Sequence, residues 1–378
     1  MVTSSVALWF DAHLDLAYLA VGGREMRAPL DPAMGPHAPA SITLPSLREG
    51  GVRVALATVF TEAVANPGEV RERSQYPAGD AERANAVGRA QLEVYLTWRD
   101  EGLIAIDVPR VLRADPGLGE IRGGMGVAEV RAPALDSLLA RARNRAPLHV
   151  GILMENADPI RTPDELPWWV ERGVCAIGLC WARASRYASG NATPPDQERG
   201  LTDLGRAMSR TMDALGVVHD LSHLSDRATD DLLAFTDRPV IASHSNSRAV
   251  LNDPTNQRHL RDETVREIAR RGGVIGLNLI RNFIAPQPYA SADPRPSVER
   301  ALDHVEHICA IAGHRRCVGL GSDMDGGISA HDLPAGIERP SGLALLSAAL
   351  RSRGWSAEEV AGFEHANFAR FFAGAGER

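Results

Sequence analysis

The chain is poor in the features that mark redox, membrane or nucleic-acid proteins. Only four of its 378 residues are cysteine (Cys175, Cys180, Cys309 and Cys317), and no two of them form a Cys-x-x-Cys pair. That spacing excludes a zinc ribbon or dithiol motif and predicts reduced, buried thiols without a disulfide. There is no run of Lys or Arg and the formal net charge is −7, which argues against nucleic acid or an anionic membrane as a partner. No stretch approaches the roughly 20 apolar residues of a membrane span. The apolar segment Val6 to Phe10 is too short for the core of a signal sequence and is broken at once by Asp11 and His13, while Phe371 to Gly374 offers no tail for a lipid anchor. A cytoplasmic location is the resulting expectation.

What the sequence does contain is a rhythm. Hydrophobic residues make up 44%, enough for a large core, and they cluster in eight short runs: Ala7 to Asp15, Val52 to Phe60, Leu148 to Glu155, Val174 to Trp181, Val217 to His223, Pro239 to His244, Gly273 to Leu279 and Cys317 to Asp323. Such runs read as strands of a buried parallel sheet, and eight is the number that closes a (β/α)₈ barrel. The fold expected is therefore α/β, a TIM barrel with loop insertions, forming one domain over residues 1–378. Between the runs, Leu204, Met208, Met212 and Leu215 form an apolar helical stripe facing the sheet, and Val298, Ala301, Leu302, Val305, Ile308 and Cys309 form another that stops before Gly313. Ser356 with Glu359 makes a capping box opening a helix toward Phe371 that packs across the barrel. Gly22 to Pro45, Leu112 to Val130 and Phe283 to Pro296 read as loops or insertions, with the Gly-rich stretch Gly117 to Gly126 expected to be mobile.

The strand ends carry the chemistry. His13 and Asp15 lie two apart and leave one face of an extended chain. Glu155 ends the third run, His223 the fifth and His244 the sixth, while the eighth closes on Asp323. In a barrel all C-terminal strand ends meet at one mouth, so these residues converge. Imidazoles with carboxylates favour zinc or a similar first-row divalent metal. His219, two alternations before His223, is expected to point into the barrel as a hydrogen-bonded interior histidine.

The set His13-x-Asp15, Met154-Glu155-Asn156-Ala157-Asp158, Asp220-Leu221-Ser222-His223, Ser243-His244-Ser245-Asn246 and Gly321-Ser322-Asp323-Met324-Asp325-Gly326 resembles the membrane (renal) dipeptidase family, zinc peptidase family M19 of the amidohydrolase superfamily. The likeness runs over nearly the whole chain. It implies a binuclear zinc site, with His13 and Asp15 on one Zn²⁺, His223 and His244 on the other and Glu155 bridging, and it implies that Arg258 clamps the substrate carboxylate, a task that suits a planar guanidinium. Two metals sharing a carboxylate generate hydroxide near neutral pH and polarise the carbonyl it attacks. Asp323 can take that proton and pass it to the departing amine.

One position departs from the family pattern. Where its members often carry a histidine that helps bind the substrate carbonyl, Leu179-Cys180-Trp181 puts Trp181, which offers a single N–H and no charge. Three readings follow: a binuclear zinc dipeptidase acting on small dipeptides, including those with a D-residue at the C-terminal side; a related metal hydrolase acting on another small amide, a lactam or an N-acyl amino acid; and a metal-binding relative that no longer turns over. The family likeness and the base rate for soluble enzymes also predict a homodimer.

Overall fold

The computed structural model describes residues 8–108, 147–285 and 295–374. The loop and mobile stretch read at Leu112 to Val130 lie outside these residues, as does 286–294 of the third insertion. All eight apolar runs form strands: Trp9–Leu14 (β1), Val52–Val59 (β2), Leu148–Glu155 (β3), Val174–Gly178 (β4), Val218–Asp220 (β5), Val240–Ala242 (β6), Val274–Leu277 (β7) and Val318–Leu320 (β8). Each pairs in parallel with its neighbours in chain order. The ring closes where β8 meets β1, at Asp11 opposite Leu320. This is a (β/α)₈ barrel.

Alternation along the strands divides the apolar residues between two sides. Val54 and Leu56 point into the barrel with Phe10, Ala12, Leu153, Ala176, Val218, Ile241 and Val274, while Ala55, Ala57 and Val59 face the outer helices. The helix Val298–Ala312 buries Ala301, Leu302, Val305, Ile308 and Cys309, and Gly313 ends it at φ 74°. In the helix Asp203–Leu215, Met208 and Met212 are buried as the stripe requires, but Leu215, its last residue, is exposed. Ser356 and Glu359 do form the capping box, and the segment they open ends in Asn367–Gly374. That last helix seals the N-terminal end of the barrel: Phe10 packs on Phe368 and Phe372 with ring centroids 5.4 and 5.9 Å apart. Capping one end this way leaves the opposite rim as the opening.

Two features have no counterpart in the sequence reading. Strand Ile104–Ile106 pairs with Leu148 to Val150, before β4 takes up pairing at Ile152, and a two-stranded parallel ribbon joins Glu62–Val64 to Gln75–Pro77 beyond β2. Both are three residues long, too short for periodicity to register. His219 is a correction. Its Nε2 lies 2.9 Å from Asp213 on the outer helix, so it faces away from the barrel interior. The strand ends at Asp220, and the turn that follows, with His223 at φ 68°, breaks the alternation on which the inward reading relied. All four cysteines are buried and none is in a disulfide. No helix among the described residues is long and apolar enough to cross a membrane.

Candidate metal centre and substrate cavity

At the C-terminal rim the five sequence-predicted ligands come together. His13 leaves β1, and Asp15 precedes the short helix Leu16–Val21, its carboxylate held by the Thr58 hydroxyl of β2. Glu155, the last residue of β3, stands between two groups of imidazoles. Its Oε2 is 3.4 Å from His13 Nε2, while its Oε1 is 3.1 Å from His223 Nε2 and 3.3 Å from His244 Nε2. His13, Asp15 and Asp323 form a second set of potential ligand atoms within 4.8 Å of one another. His13 and His244 stack with ring centroids 3.6 Å apart.

The surrounding hydrogen bonds decide what the ring nitrogens can do. The Ser243 hydroxyl donates to Asp220 Oδ2 at 2.5 Å, so at its 2.8 Å contact with His244 Nδ1 it accepts, and the ring proton sits on Nδ1. His223 Nδ1 likewise faces Asn191 Oδ1 at 3.2 Å. Both Nε2 atoms are thereby left with lone pairs, yet they stand 2.9 Å apart. Two lone pairs repel, and a shared cation would make that approach favourable. His13 Nε2 has no hydrogen-bond partner at all, although it is buried.

Charge gives the same answer. Burial pushes the Asp15 carboxyl up to about 6 and that of Asp323 to about 8, and raises Glu155 well above the usual carboxylate range. Burial also drives His223 and His244 well below the ordinary imidazole value, with Arg258 adding to both. Carboxylates and neutral imidazoles packed out of water, with Arg258 among them, form a donor set that a divalent cation satisfies. The residues present fit a metal centre.

The rest of the mouth forms a cavity of about 280 Å³ whose lining includes Asp15, Glu155, Trp181, His223, Arg258 and Asp323. Asn278, at the end of β7, donates from Nδ2 to Asp323 Oδ2 at 2.8 Å and fixes that carboxyl. Gly326 has no side chain for a steric reason: a Cβ there would lie 1.8 Å from Asp323 Oδ1. Asp323 and His223 both occupy the left-handed region, at φ 58° and 68°, a strain that persists where surrounding structure enforces it. Arg258 is buried, donating from one terminal nitrogen to Ser245 Oγ at 3.1 Å and from the other to the His244 carbonyl at 2.9 Å. Trp181 is partly buried, edge-on to Phe60 at 5.2 Å and 5.7 Å from the His223 ring. Sequence reasoning assigned no role to Asp220, Ser243, Asn191 or Asn278. Asn278 left the one usable signal, a polar residue just beyond an apolar strand.

Comparison with known proteins sets these residues in context. The model of the family described as membrane dipeptidase (peptidase family M19) matches residues 132–377. An uncharacterised dipeptidase of Schizosaccharomyces pombe is 31% identical over 194 residues, 50% of this chain and 45% of its own length, and a second from the same organism is 30% identical over 172 residues, 46% and 39%. The chain thus spans less than half the length of these two relatives. Among solved structures, a metallo peptidase from Rhodobacter sphaeroides, liganded with a phosphinate mimic of the dipeptide L-Ala-D-Ala, superposes with a TM-score of 0.72 at 24% identity, covering 97% of this chain and 99% of that one. The probable dipeptidase PvdM from Pseudomonas aeruginosa gives 0.73 at 19% identity, covering 98% and 95%. At these identities the likeness is one of fold.

Proposed function

Because this chain belongs to the membrane dipeptidase family, peptidase family M19, we propose that it is a metal-dependent dipeptidase that hydrolyses small dipeptides, those with a D-residue at the C-terminal side included. One observation carries the reading: the two oxygens of Glu155 face separate imidazole groups, His13 on one side and His223 with His244 on the other. That division suits a carboxylate shared by two zinc ions, with His13 and Asp15 holding one and His223 and His244 the other. When bound, such ions would supply Lewis acidity that polarises the scissile carbonyl and acidifies water.

The protein's own groups supply the rest. Arg258 anchors the C-terminal carboxylate of the substrate through the N–H groups that Ser245 and His244 leave free, and so sets which carbonyl lies over the ligands. Asp323, held at Oδ2 by Asn278, keeps Oδ1 to receive a proton from the attacking water and return it to the departing amine, which leaves poorly as an anion. Trp181 closes the cavity beside His223 and offers one N–H to the substrate where relatives often have a histidine. Its apolar face excludes water.

Metal analysis with a dipeptide panel tests the reading. The purified protein should bind two divalent ions per chain and release amino acids from L,L or L,D dipeptides, and Glu155→Gln should lose both bound metal and hydrolysis. Wild-type protein that takes up no transition metal, or that is metal-loaded and cleaves no dipeptide, would refute it.

A further inference from the structure

The cavity has two chemically different sides. In the eight-strand ring β6 lies four strands from β2, so groups beyond those two strand ends face one another across the mouth. On the β6 side stands Arg258, the only guanidinium among the described residues that line the cavity. On the β1 and β2 side stand Tyr18, Phe60, Glu62 and Glu72. Trp181, Phe60 and Tyr18 form an edge-to-face series with centroids 5.2 and 5.4 Å apart, an aromatic strip leading from the ligand cluster outward.

Two carboxylates stand at the end of that strip. Gln75 Nε2 donates to Glu62 Oε2 at 2.8 Å, and the Tyr18 hydroxyl, 2.8 Å from His37 Nε2, donates to Glu72 Oε2 at 3.0 Å. These bonds orient both groups without neutralising them. The chain contains no lysine, and among the described residues no arginine forms an ion pair with either. Arg71 and Arg73 line an adjoining groove, whose rim Glu72 shares. Among the described residues, five carboxylates therefore line the cavity against one guanidinium. On the dipeptidase reading Asp15, Glu155 and Asp323 are engaged by the metals and the chemistry, which leaves Glu62 and Glu72 as the two carboxylates of the lining free for a substrate group.

We propose that Glu62 and Glu72, at the end of the Trp181–Phe60–Tyr18 strip, make this protein select dipeptides whose N-terminal residue carries a basic side chain, arginine or lysine. A dipeptide anchored by its carboxylate on Arg258 directs its N-terminal residue toward the β2 side. An aliphatic stem lies well along aromatic rings, a guanidinium stacks on them, and the cationic tip meets the two carboxylates. The inference rests on the dipeptidase reading and adds to it a substrate class.

The test compares kcat/KM for Lys-Ala with norleucine-Ala and for Arg-Ala with citrulline-Ala, using zinc-loaded wild-type protein and the Glu62→Gln/Glu72→Gln double variant, whose fold is checked by thermal unfolding. The wild type should prefer the basic member of each pair by at least about tenfold, the worth of a charge-assisted hydrogen bond. In the double variant each ratio should fall close to one. A wild-type ratio near one, or a preference that survives the double substitution, overturns the proposal. So does an equal loss on basic and neutral dipeptides, which would assign the carboxylates to the α-ammonium. Hydrolysis of neutral dipeptides without selectivity leaves the dipeptidase reading intact, whereas cleavage of no dipeptide removes both.

Discussion

Replacing Arg258 with methionine should lower kcat/KM on free dipeptides by roughly 10²- to 10⁴-fold, and on C-terminally amidated dipeptides by only a few-fold. A guanidinium carries five N–H donors, and here one goes to Ser245 Oγ and one to the His244 carbonyl. The Nε–H is buried without a partner. The free donors are enough for a two-pronged grip on a carboxylate, and two charge-assisted bonds at about 1.5–3 kcal/mol each give the quoted range. Arg258→Lys keeps the charge but loses the planar fork, so it should fall between wild type and Arg258→Met. The assay is steady-state hydrolysis of Ala-Ala and its amide, with zinc content measured on each variant. Equal losses on acid and amide, with zinc retained, would show that Arg258 does not read the carboxylate and would refute the argument.

Asp323→Asn should keep its bond to Asn278 and its bound zinc while kcat falls by about 10²- to 10⁴-fold, the usual worth of a positioned acid–base group; unchanged turnover would remove Asp323 from the reaction. Gly326→Ala pushes a methyl onto Asp323 Oδ1, so activity should drop far more than melting temperature. Phe372→Ala, at the sealed end of the barrel, should destabilise by about 3–5 kcal/mol in denaturant titration yet leave zinc stoichiometry unchanged. His304 accepts the Ser247 N–H at Nδ1 and faces the Ile284 carbonyl with Nε2, and burial lowers its pKa from 6.5 to about 4. The unfolded chain therefore takes up this proton first as pH falls. Stability is full above about 6.5 and declines toward 4, by about 3 kcal/mol for this one group. Urea unfolding at pH 7.5 and 4.5 should show a pH dependence smaller by that amount in His304→Gln.

The strands were readable because buried parallel strands are apolar on both faces, so each appeared as a short run in which apolar residues dominate and polar ones such as Arg53 and His149 stand singly. Their order also placed His13, Asp15, Glu155, His223, His244 and Asp323 at one rim, since barrel topology turns a position at a strand end into a position in space. Where alternation fails, so did the reading. His219, next to the inward Val218, faces the outer helix, and because β5 stops at Asp220 it shares no face with His223; Leu215 is exposed at the last turn of its helix. The groups that fix the tautomers, Asp220, Ser243 and Asn191, stayed silent because single polar residues near strand ends carry no periodic signal. Only their contacts, among them the 2.5 Å bond from Ser243 to Asp220, reveal what they do.

The junction of β1 with β8 has a temporal consequence. Asp11 receives the backbone N–H of Ser322 at 2.9 Å, across 311 positions of sequence. During synthesis His13 and Asp15 emerge from the ribosome early, but the partners that complete their surroundings follow only after most of the polypeptide has been made, some tens of seconds later at about 5–20 residues per second. Metal loading would in that sense be a finishing step. Chains released before the eighth strand would be left with an incomplete grip, and cation uptake would distinguish finished molecules from abortive ones.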